Sequence, residues 1–165
     1  PEVSWILHLH NTRGVAITVQ YDVDDRFNFM ALIPNFETKT ADARKALPNE
    51  LPLKDAIFSL SRLGIVLRAF ENYDIDTLKK VLADKIHEPY RKKLIYEYDE
   101  VRNICESIES YGFFISGSGS TLINILTDEN NVELIKEKLK NLKYNWKVLF
   151  VKADKEGTTY EERNV

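Results

Sequence analysis

The sequence predicts an α+β sandwich of the ferredoxin-like type, with the order β-α-β-β-α-β and a first crossover enlarged into a cluster of helices. Three observations lead to this prediction. Apolar segments typical of strands lie at 26–33, on both sides of a glycine-rich turn within 113–126, and at 147–151. Apolar residues at helical spacing fill much of the chain between the first two of these segments. A further such pattern precedes the last strand, and we expect the helices to lie on one side of the strands.

The first part of the chain predicts a β-hairpin. Apolar and polar residues alternate in 15–21, the polar segment 22–25 has the composition of a turn, and 26–33 reads as a second strand. We therefore expect 15–21 and 26–33 to pair through a four-residue loop. Residues 4–9 predict one more strand.

Steps of three and four between apolar residues predict five helices. The longest follows Pro52 and carries Ile57, Leu60, Gly64 and Leu67 on one face. Further apolar residues widen this surface, so we expect burial on more than one side. Gly64 costs about 1 kcal/mol relative to alanine in a helix, and we expect it to permit close packing. The other helices are predicted at 38–47, from Asp74, from Glu97 to Gly112, and at 127–142.

Composition narrows the classes of function. The 165 residues suffice for one domain with a substantial core, and the net charge of −3 makes nucleic acid an unexpected partner. No apolar run reaches the ~18 residues of a membrane-spanning helix, and no secretory signal is visible. The single cysteine, Cys105, has apolar neighbours at helical spacing, so we expect it to be a residue of the core. One cysteine cannot form an internal disulfide, and we therefore expect the protein to lie in the reducing cytoplasm.

The chain begins with Pro1 rather than methionine and enters apolar sequence at once. We therefore expect a piece of a longer protein, in which 1–26 is the remnant of an N-terminal domain, 27–153 is the sandwich and 154–165 is a polar tail. The face that met the missing part is expected to be exposed and partly apolar. Such a face would also allow the piece to pair with itself as a homodimer.

The most informative segment is the turn at 116–121, where two glycines and four hydroxyl residues separate two apolar β-type segments. Gly117 and Gly119 free the backbone for positive φ and for close approach of another group. Consecutive N–H groups in such a turn can hold an anion. By itself the motif also fits a flexible turn between paired strands.

Four segments at 35–44, 52–62, 87–91 and 116–121 together resemble the homoserine kinases, a family of the GHMP kinases, in order and rough spacing. The resemblance covers about residues 15–151. It implies transfer of the γ-phosphoryl group of ATP to the hydroxyl of homoserine, in threonine biosynthesis, with ATP and Mg²⁺ as cofactors. The substrate would be a small molecule, and no membrane partner is expected.

The resemblance also implies two domains, the first carrying a phosphate loop of the form Pro-x-x-x-Gly-Leu-Gly-Ser-Ser-Ala. This sequence has no match to that loop. We therefore expect the C-terminal portion of the enzyme, with the sandwich as the GHMP kinase C-terminal domain. Alone, it should be inactive and should hold no cofactor.

The resemblance carries substrate-binding roles to Thr40, Arg44 and Arg91. Arg44 and Arg91 would bind the homoserine carboxylate, which the planar guanidinium fork can hold by two hydrogen bonds. Thr40 lies one helical turn before Arg44 and would make a polar contact to the substrate. Without the resemblance, each arginine would read as a solvated surface charge.

His8 and Asn11 keep the spacing of the family's His-Pro-Asp-Asn segment, where the histidine and the asparagine contact the substrate. His10 stands in place of the aspartate, so the first 14 residues also fit an unrelated segment. A zinc site on His8 and His10 is not indicated, because no cysteine or carboxylate has ligand spacing to them. His87 is interpreted as a helix-end residue; the sequence identifies no metal ligand and no catalytic base.

The glycine-rich turn gains a role from the same resemblance, in which it lies beside the ATP loop and supports that loop and the phosphates. The residues assigned to this support are Ser116, Gly117, Ser118, Gly119 and Ser120.

Two other functions stay open. One is a GHMP kinase for another small alcohol, such as a mevalonate-type acid, whose carboxylate would also suit two arginines. The other is a ferredoxin-like module that binds a small ligand and catalyses nothing.

Overall fold

A computed structural model describes residues 6–10 and 16–155 of the chain, with side chains from residue 21 onward. The strands are β1 Ile6–His10, β2 Ala16–Gln20, β3 Asn28–Pro34, β4 Gly112–Ile115, β5 Leu122–Leu126 and β6 Trp146–Val151. The helices are α1 Thr40–Lys45, α2 Leu53–Asn72, α3 Ile75–Val81, α4 Glu88–Arg91, α5 Tyr98–Ile108 and α6 Asn130–Leu139, with a 3-10 turn at Lys92–Leu94.

The main sheet has four antiparallel strands in the order β4-β5-β3-β6. Strand β3 is central and has β5 on one side and β6 on the other. Along the chain, β3 is followed by helices, then by β4, β5, α6 and β6. The predicted α+β fold with the order β-α-β-β-α-β and an enlarged first crossover is therefore confirmed.

The predicted hairpin between 15–21 and 26–33 is wrong. Strand β2 pairs with β1 in a separate two-stranded sheet, where Ile6 lies opposite Gln20. Both edges of β3 are occupied by β5 and β6, which are distant in sequence. Alternation identifies a strand but does not identify its partner. The strand predicted at 4–9 corresponds to β1 over the residues that the structure describes.

Helices cover both faces of the main sheet, which corrects the expectation of helices on one side. Met30 and Leu32 of β3 point into a core with α5 and α6. Phe29 and Ala31, the alternate residues of the same strand, point into a second core with α2 and α3. Successive side chains of a strand face opposite sides of the sheet. The almost continuous burial along β3 therefore means that both faces of the sheet are covered at this strand.

Helix α2 is less buried than its apolar composition predicts. Only Ala69 and Phe70, in its last turns, are fully buried. Leu53, Ile57 and Leu60 are 75%, 56% and 65% exposed. A Cβ atom at Gly64 would meet nothing within 4 Å, so this glycine permits no close contact within the described residues. The expected burial of α2 on more than one side is therefore wrong.

The carboxylate of Glu109 closes the end of α5 against the start of α6. It accepts hydrogen bonds from the backbone N–H of Thr127 at 2.9 Å, from that of Asp128 at 3.2 Å and from Asn131 Nδ2 at 2.8 Å. Burial alone would raise the pKa of Glu109, but the hydrogen bonds from Thr127, Asn131 and Asp128 outweigh it and lower the pKa. The folded state therefore favours the ionised carboxylate.

We expect Glu109→Gln to reduce the free energy of unfolding at pH 7 by about 1–2 kcal/mol, since charge-assisted hydrogen bonds are lost. The pKa is lower in the folded state, so this contribution is present above the unfolded pKa and is lost as pH falls through the folded pKa. Urea unfolding between pH 7 and pH 3 should show the two proteins converging in acid. Glu71→Gln, at an exposed position of α2, is the control. A constant difference across this range would contradict the assignment.

Candidate functional site

The glycine-rich turn joins β4 to β5 in an ordered conformation. Gly117 and Gly119 have φ values of 56° and 88°, the positive range in which glycine is favoured. The N–H of Ser116 donates to the carbonyl of Thr121, and that of Gly119 donates to the carbonyl of Ser116, both at 2.9 Å. A Cβ atom at Gly119 would meet Ile95 Cδ1 at 3.0 Å. Both glycines therefore use the freedom for positive φ that the sequence analysis attributed to them.

Arg91, the last residue of α4, lies against this turn. One guanidinium nitrogen, Nη1, donates to the carbonyl oxygen of Gly117 at 2.9 Å. The Nε atom is buried, and no residue whose side chain is described accepts a hydrogen bond from it. Arg91 thus has one guanidinium nitrogen that fixes its side chain, while its Nη2 atom makes no hydrogen bond within residues 21–155.

Asp84 holds the start of α4, a part that the sequence interpretation missed. Its carboxylate accepts the backbone N–H groups of Ile86 at 2.9 Å and Glu88 at 2.7 Å, and also that of His87. It further accepts the hydroxyl of Ser59 on α2 at 3.2 Å. Burial alone would raise the pKa of Asp84, but the backbone hydrogen bonds outweigh it and lower the pKa. An aspartate shortly before a helix start is a sequence signal that could have identified it.

The carboxylate of Glu88 ties the other side of α4 to α5. It accepts the hydroxyl of Tyr98 at 2.6 Å and Arg102 Nη1 at 2.9 Å. Burial and the hydrogen bond to Glu88 raise the pKa of Tyr98 well above its ordinary value. His87 flanks the first residue of α4, in agreement with its interpretation as a helix-end residue.

Helix α1 approaches the same turn from another direction. The hydroxyl oxygens of Thr40 and Ser118 are 3.4 Å apart. Arg44 follows Thr40 by one helical turn and is exposed. Over residues 21–155, neither Arg44 nor Arg91 takes part in an ion pair. The turn therefore brings Thr40 and Arg91 together, with Arg44 on the helix that carries Thr40.

The segment 35–39, which precedes α1, is fastened at three points. Ser120 is only 9% exposed, and its hydroxyl donates to the carbonyl of Phe36 at 2.8 Å. Thr38 Oγ1 donates to the carbonyl of Leu94 at 3.3 Å, in the 3-10 turn that follows α4. The N–H of Asn35 donates to a carbonyl in the loop before β6, at 2.9 Å. Ser120 thus uses its hydroxyl to hold this segment.

Aromatic rings surround the same segment. The ring of Phe36 packs edge-on against Tyr96, Tyr144 and Trp146, with centroid distances of 5.0, 4.9 and 6.0 Å. The carboxylate of Glu97 fixes this wall, because it accepts Trp146 Nε1 at 3.0 Å and the N–H of Tyr144 at 3.2 Å. Neither these rings nor Glu97 were predicted as parts of the site.

His8 and Asn11 are the other two predicted substrate-binding residues. His8 lies in β1, where its backbone pairs opposite Thr18. Asn11 lies outside the described residues. Among the residues that the structure describes, no group of three or more metal-ligating side chains is found.

Cys105 is fully buried in the core with α5 and α6. Burial raises the pKa of its thiol to about 12. The expectation of a core cysteine is confirmed.

An open cavity of about 240 Å³ lies between α4 and the strand that leads into the glycine-rich turn. Its lining combines apolar side chains with the polar groups already described: Asp84, His87, Glu88, Arg91, Phe114, Ile115 and Gly117. The guanidinium of Arg91, which lines this cavity, suits a small anion such as a carboxylate. The hydroxyls of Thr40 and Ser118 add polar contacts at the neighbouring side of the turn.

Comparison with known sequences gives consistent results. Residues 66–145 match the family model described as GHMP kinases C terminal. The homoserine kinase of Clostridium botulinum (strain Kyoto / Type A2) is 37% identical over 145 residues, which are 87% of this chain and 49% of that protein. The homoserine kinase of Clostridium acetobutylicum is 39% identical over 138 residues, which are 82% of this chain and 47% of that protein. The chain spans about half the length of the curated relatives it matches.

Solved structures show the same fold. A homoserine kinase from Cytophaga hutchinsonii superposes with a TM-score of 0.78 at 22% identity, over 87% of this chain and 47% of that chain. A putative homoserine kinase from Listeria monocytogenes gives a TM-score of 0.61 at 19% identity, over 90% and 49% of the two chains. No helix within the described part of the chain is long and apolar enough to cross a membrane.

Proposed function

We propose, since this chain carries a GHMP kinase C-terminal domain, that it is the substrate-binding part of an ATP-dependent homoserine kinase. The observation that carries the proposal is the meeting of Arg91 and Thr40 at the glycine-rich turn. The similarity to homoserine kinases over most of the chain supports this choice of substrate. The product would be O-phosphohomoserine, and the reaction would be a step of threonine biosynthesis in the cytoplasm.

In the proposed reaction, the hydroxyl oxygen of homoserine forms a bond to the γ-phosphorus of ATP. The bond from that phosphorus to the β-phosphate oxygen breaks, ADP leaves and the hydroxyl proton is released. Such a transfer depends mainly on positioning and on stabilisation of the phosphoryl charge. The part of this chain is to hold the substrate, with Arg44 and Arg91 on the carboxylate and Thr40 as a polar contact.

The glycine-rich turn links substrate and nucleotide in this proposal. Ser116, Gly117, Ser118 and Gly119 would support the ATP loop of the other domain, and Ser120 would act through Phe36. Mg²⁺ would neutralise phosphate charge. The described residues hold no group of three or more His, Cys, Asp or Glu side chains that could bind a metal, so they do not fit a resident Mg²⁺ site.

We also propose a division of the chain into domains. Residues 1–26 would belong to the N-terminal domain, 27–153 to the C-terminal domain and 154–165 to a polar tail. Pairing of β1 with β2 in a sheet of their own supports the first boundary. His8 and Asn11 would then contribute to the substrate site from the N-terminal side.

The direct test is phosphoryl transfer by the two-domain enzyme, measured side by side on homoserine and on a mevalonate-type acid. Preference for homoserine is the expected result; preference for the other acid would favour the second kinase. If neither alcohol is phosphorylated while calorimetry detects tight binding of a free amino acid, the function is that of a non-catalytic module.

This chain alone is expected to show no turnover with ATP, Mg²⁺ and homoserine, because its sequence has no match to the ATP phosphate loop. A coupled assay for ADP release measures this, with the two-domain enzyme as positive control. ADP release by the isolated chain above the buffer rate would contradict the proposed division of labour.

A further inference from the structure

Helix α2 carries an apolar stripe that no described element covers. The stripe consists of Leu53, Ile57, Leu60 and Gly64, which follow each other at steps of four, three and four and so share one face. The three large side chains are each more than half exposed. Contiguous exposed apolar surface of this kind marks an interaction site.

The stripe lies on the side of α2 that is turned away from the buried residues of this helix, and Leu60 also borders an open cavity of about 360 Å³ together with Leu82 and Phe114. The buried residues of the helix, Ala69 and Phe70, belong to the core on one face of the sheet, and they lie on the other side of α2 from the stripe. At Gly64 the helix presents backbone alone, with open space where a Cβ would be. The stripe therefore combines a ridge of leucine and isoleucine with a notch that admits close approach of another backbone.

The known relatives extend well beyond the part that they share with this chain. The matched family model is described as C terminal and begins at residue 66, after the stripe. The homoserine kinase relatives are about twice as long as the part they share with this chain. A corresponding half of this protein would be a polypeptide joined to this domain, and an exposed apolar helix face is the surface that packing between the two halves would bury.

We propose that the α2 stripe is the docking surface for a helix in the N-terminal half of the two-domain kinase, with Gly64 at the point of closest approach. The ridge-and-notch shape fits a helix, because helices pack by placing the side-chain ridges of one into the grooves of the other. The inference rests on the proposed function only in requiring that the N-terminal half belongs to the same enzyme.

Thiol labelling tests the proposal without using kinase activity. Cys105 is buried and is the only cysteine of the sequence, so a cysteine introduced on the surface is labelled selectively. Leu60→Cys is compared in this chain and in the two-domain polypeptide, with any cysteines of the other half replaced by serine. Ile65→Cys, at an α2 position that is 47% exposed and off the stripe, is the matched control.

We expect labelling of Leu60→Cys to be at least tenfold slower in the two-domain polypeptide than in this chain, and labelling of Ile65→Cys to differ by less than twofold, since only buried thiols are strongly protected. Adding Gly64→Leu to the two-domain Leu60→Cys protein should restore fast labelling, because the new side chain fills the notch.

Equal labelling of Leu60→Cys in both proteins would overturn the proposal. Protection that appears in this chain alone and grows with its concentration would also overturn it, and would assign the stripe to a second copy. If the two-domain protein fails to phosphorylate homoserine but still protects Leu60→Cys, the docking surface stands and the proposed function fails.

Discussion

Arg91→Ala in the proposed two-domain homoserine kinase is expected to raise KM for homoserine by about 10- to 100-fold, as removal of a charge-assisted hydrogen-bonding partner costs on the order of 1.5–3 kcal/mol. KM for ATP should change by less than about twofold, because the guanidinium would hold the carboxylate of the amino acid and not the nucleotide. Steady-state kinetics with each substrate varied in turn measures both quantities.

Two variants make the Arg91 result specific. Arg91→Lys keeps the charge but loses the planar fork, so its KM for homoserine should lie between those of the wild type and the alanine variant. Lys80→Ala removes an exposed cation from α3 and should leave both KM values unchanged. Equal increases for homoserine and ATP in Arg91→Ala would count against the substrate role.

Phe36→Ala is expected to affect both stability and substrate binding. The half-buried ring contacts three aromatic side chains, and its loss should lower the free energy of unfolding by about 2 kcal/mol, below the value for a fully buried phenylalanine. The segment 35–39 keeps its hydrogen bonds but loses its aromatic packing, which loosens the position of α1, so KM for homoserine should rise about tenfold. Urea unfolding and kinetics on the two-domain enzyme measure the two effects.

The control for Phe36 is Tyr96→Ala, which removes a 58% exposed ring from the same wall. It should cost less than about 1 kcal/mol, as exposed side chains usually do. Phe36→Leu fills much of the space and should recover most of the stability and of the homoserine KM. Lost stability with an unchanged KM would mean that the segment supports the core but does not position Thr40 and Arg44.

Sequence patterns predicted most of the sheet because strand β3 and the glycine-rich turn have strong local signals. Positive φ at Gly117 and Gly119 followed from residue type alone. The pairing of β2 could not be predicted in the same way, since period-two alternation is equally compatible with any partner. Burial of α2 was overestimated because an apolar face predicts burial without identifying the element that buries it, and Leu53, Ile57 and Leu60 stay exposed in the described residues.

The candidate site was only partly accessible to sequence reasoning. Thr40 and Arg91 belong to segments that resemble a known family, whereas Asp84 and Glu88 act through contacts that cross between helices. Glu88 meets Tyr98 and Arg102, which follow it by 10 and 14 residues. Such contacts depend on how α4 and α5 are placed in three dimensions, and no local spacing of residues predicts them. For Asp84 the sequence gives only a weak signal, which is the position of an acidic residue ahead of a short helix.

Helix α4 has only four residues, too few for its own backbone hydrogen bonds to maintain it. Its conformation is imposed from outside, by Asp84 on the side of α2 and by Glu88 on the side of α5. The orientation of Arg91 at the end of α4 therefore depends on the carboxylates of Asp84 and Glu88. Selectivity for an amino acid would therefore depend on Asp84 and Glu88 as much as on the guanidinium of Arg91. An arginine placed in another protein without these two carboxylates would not confer that selectivity.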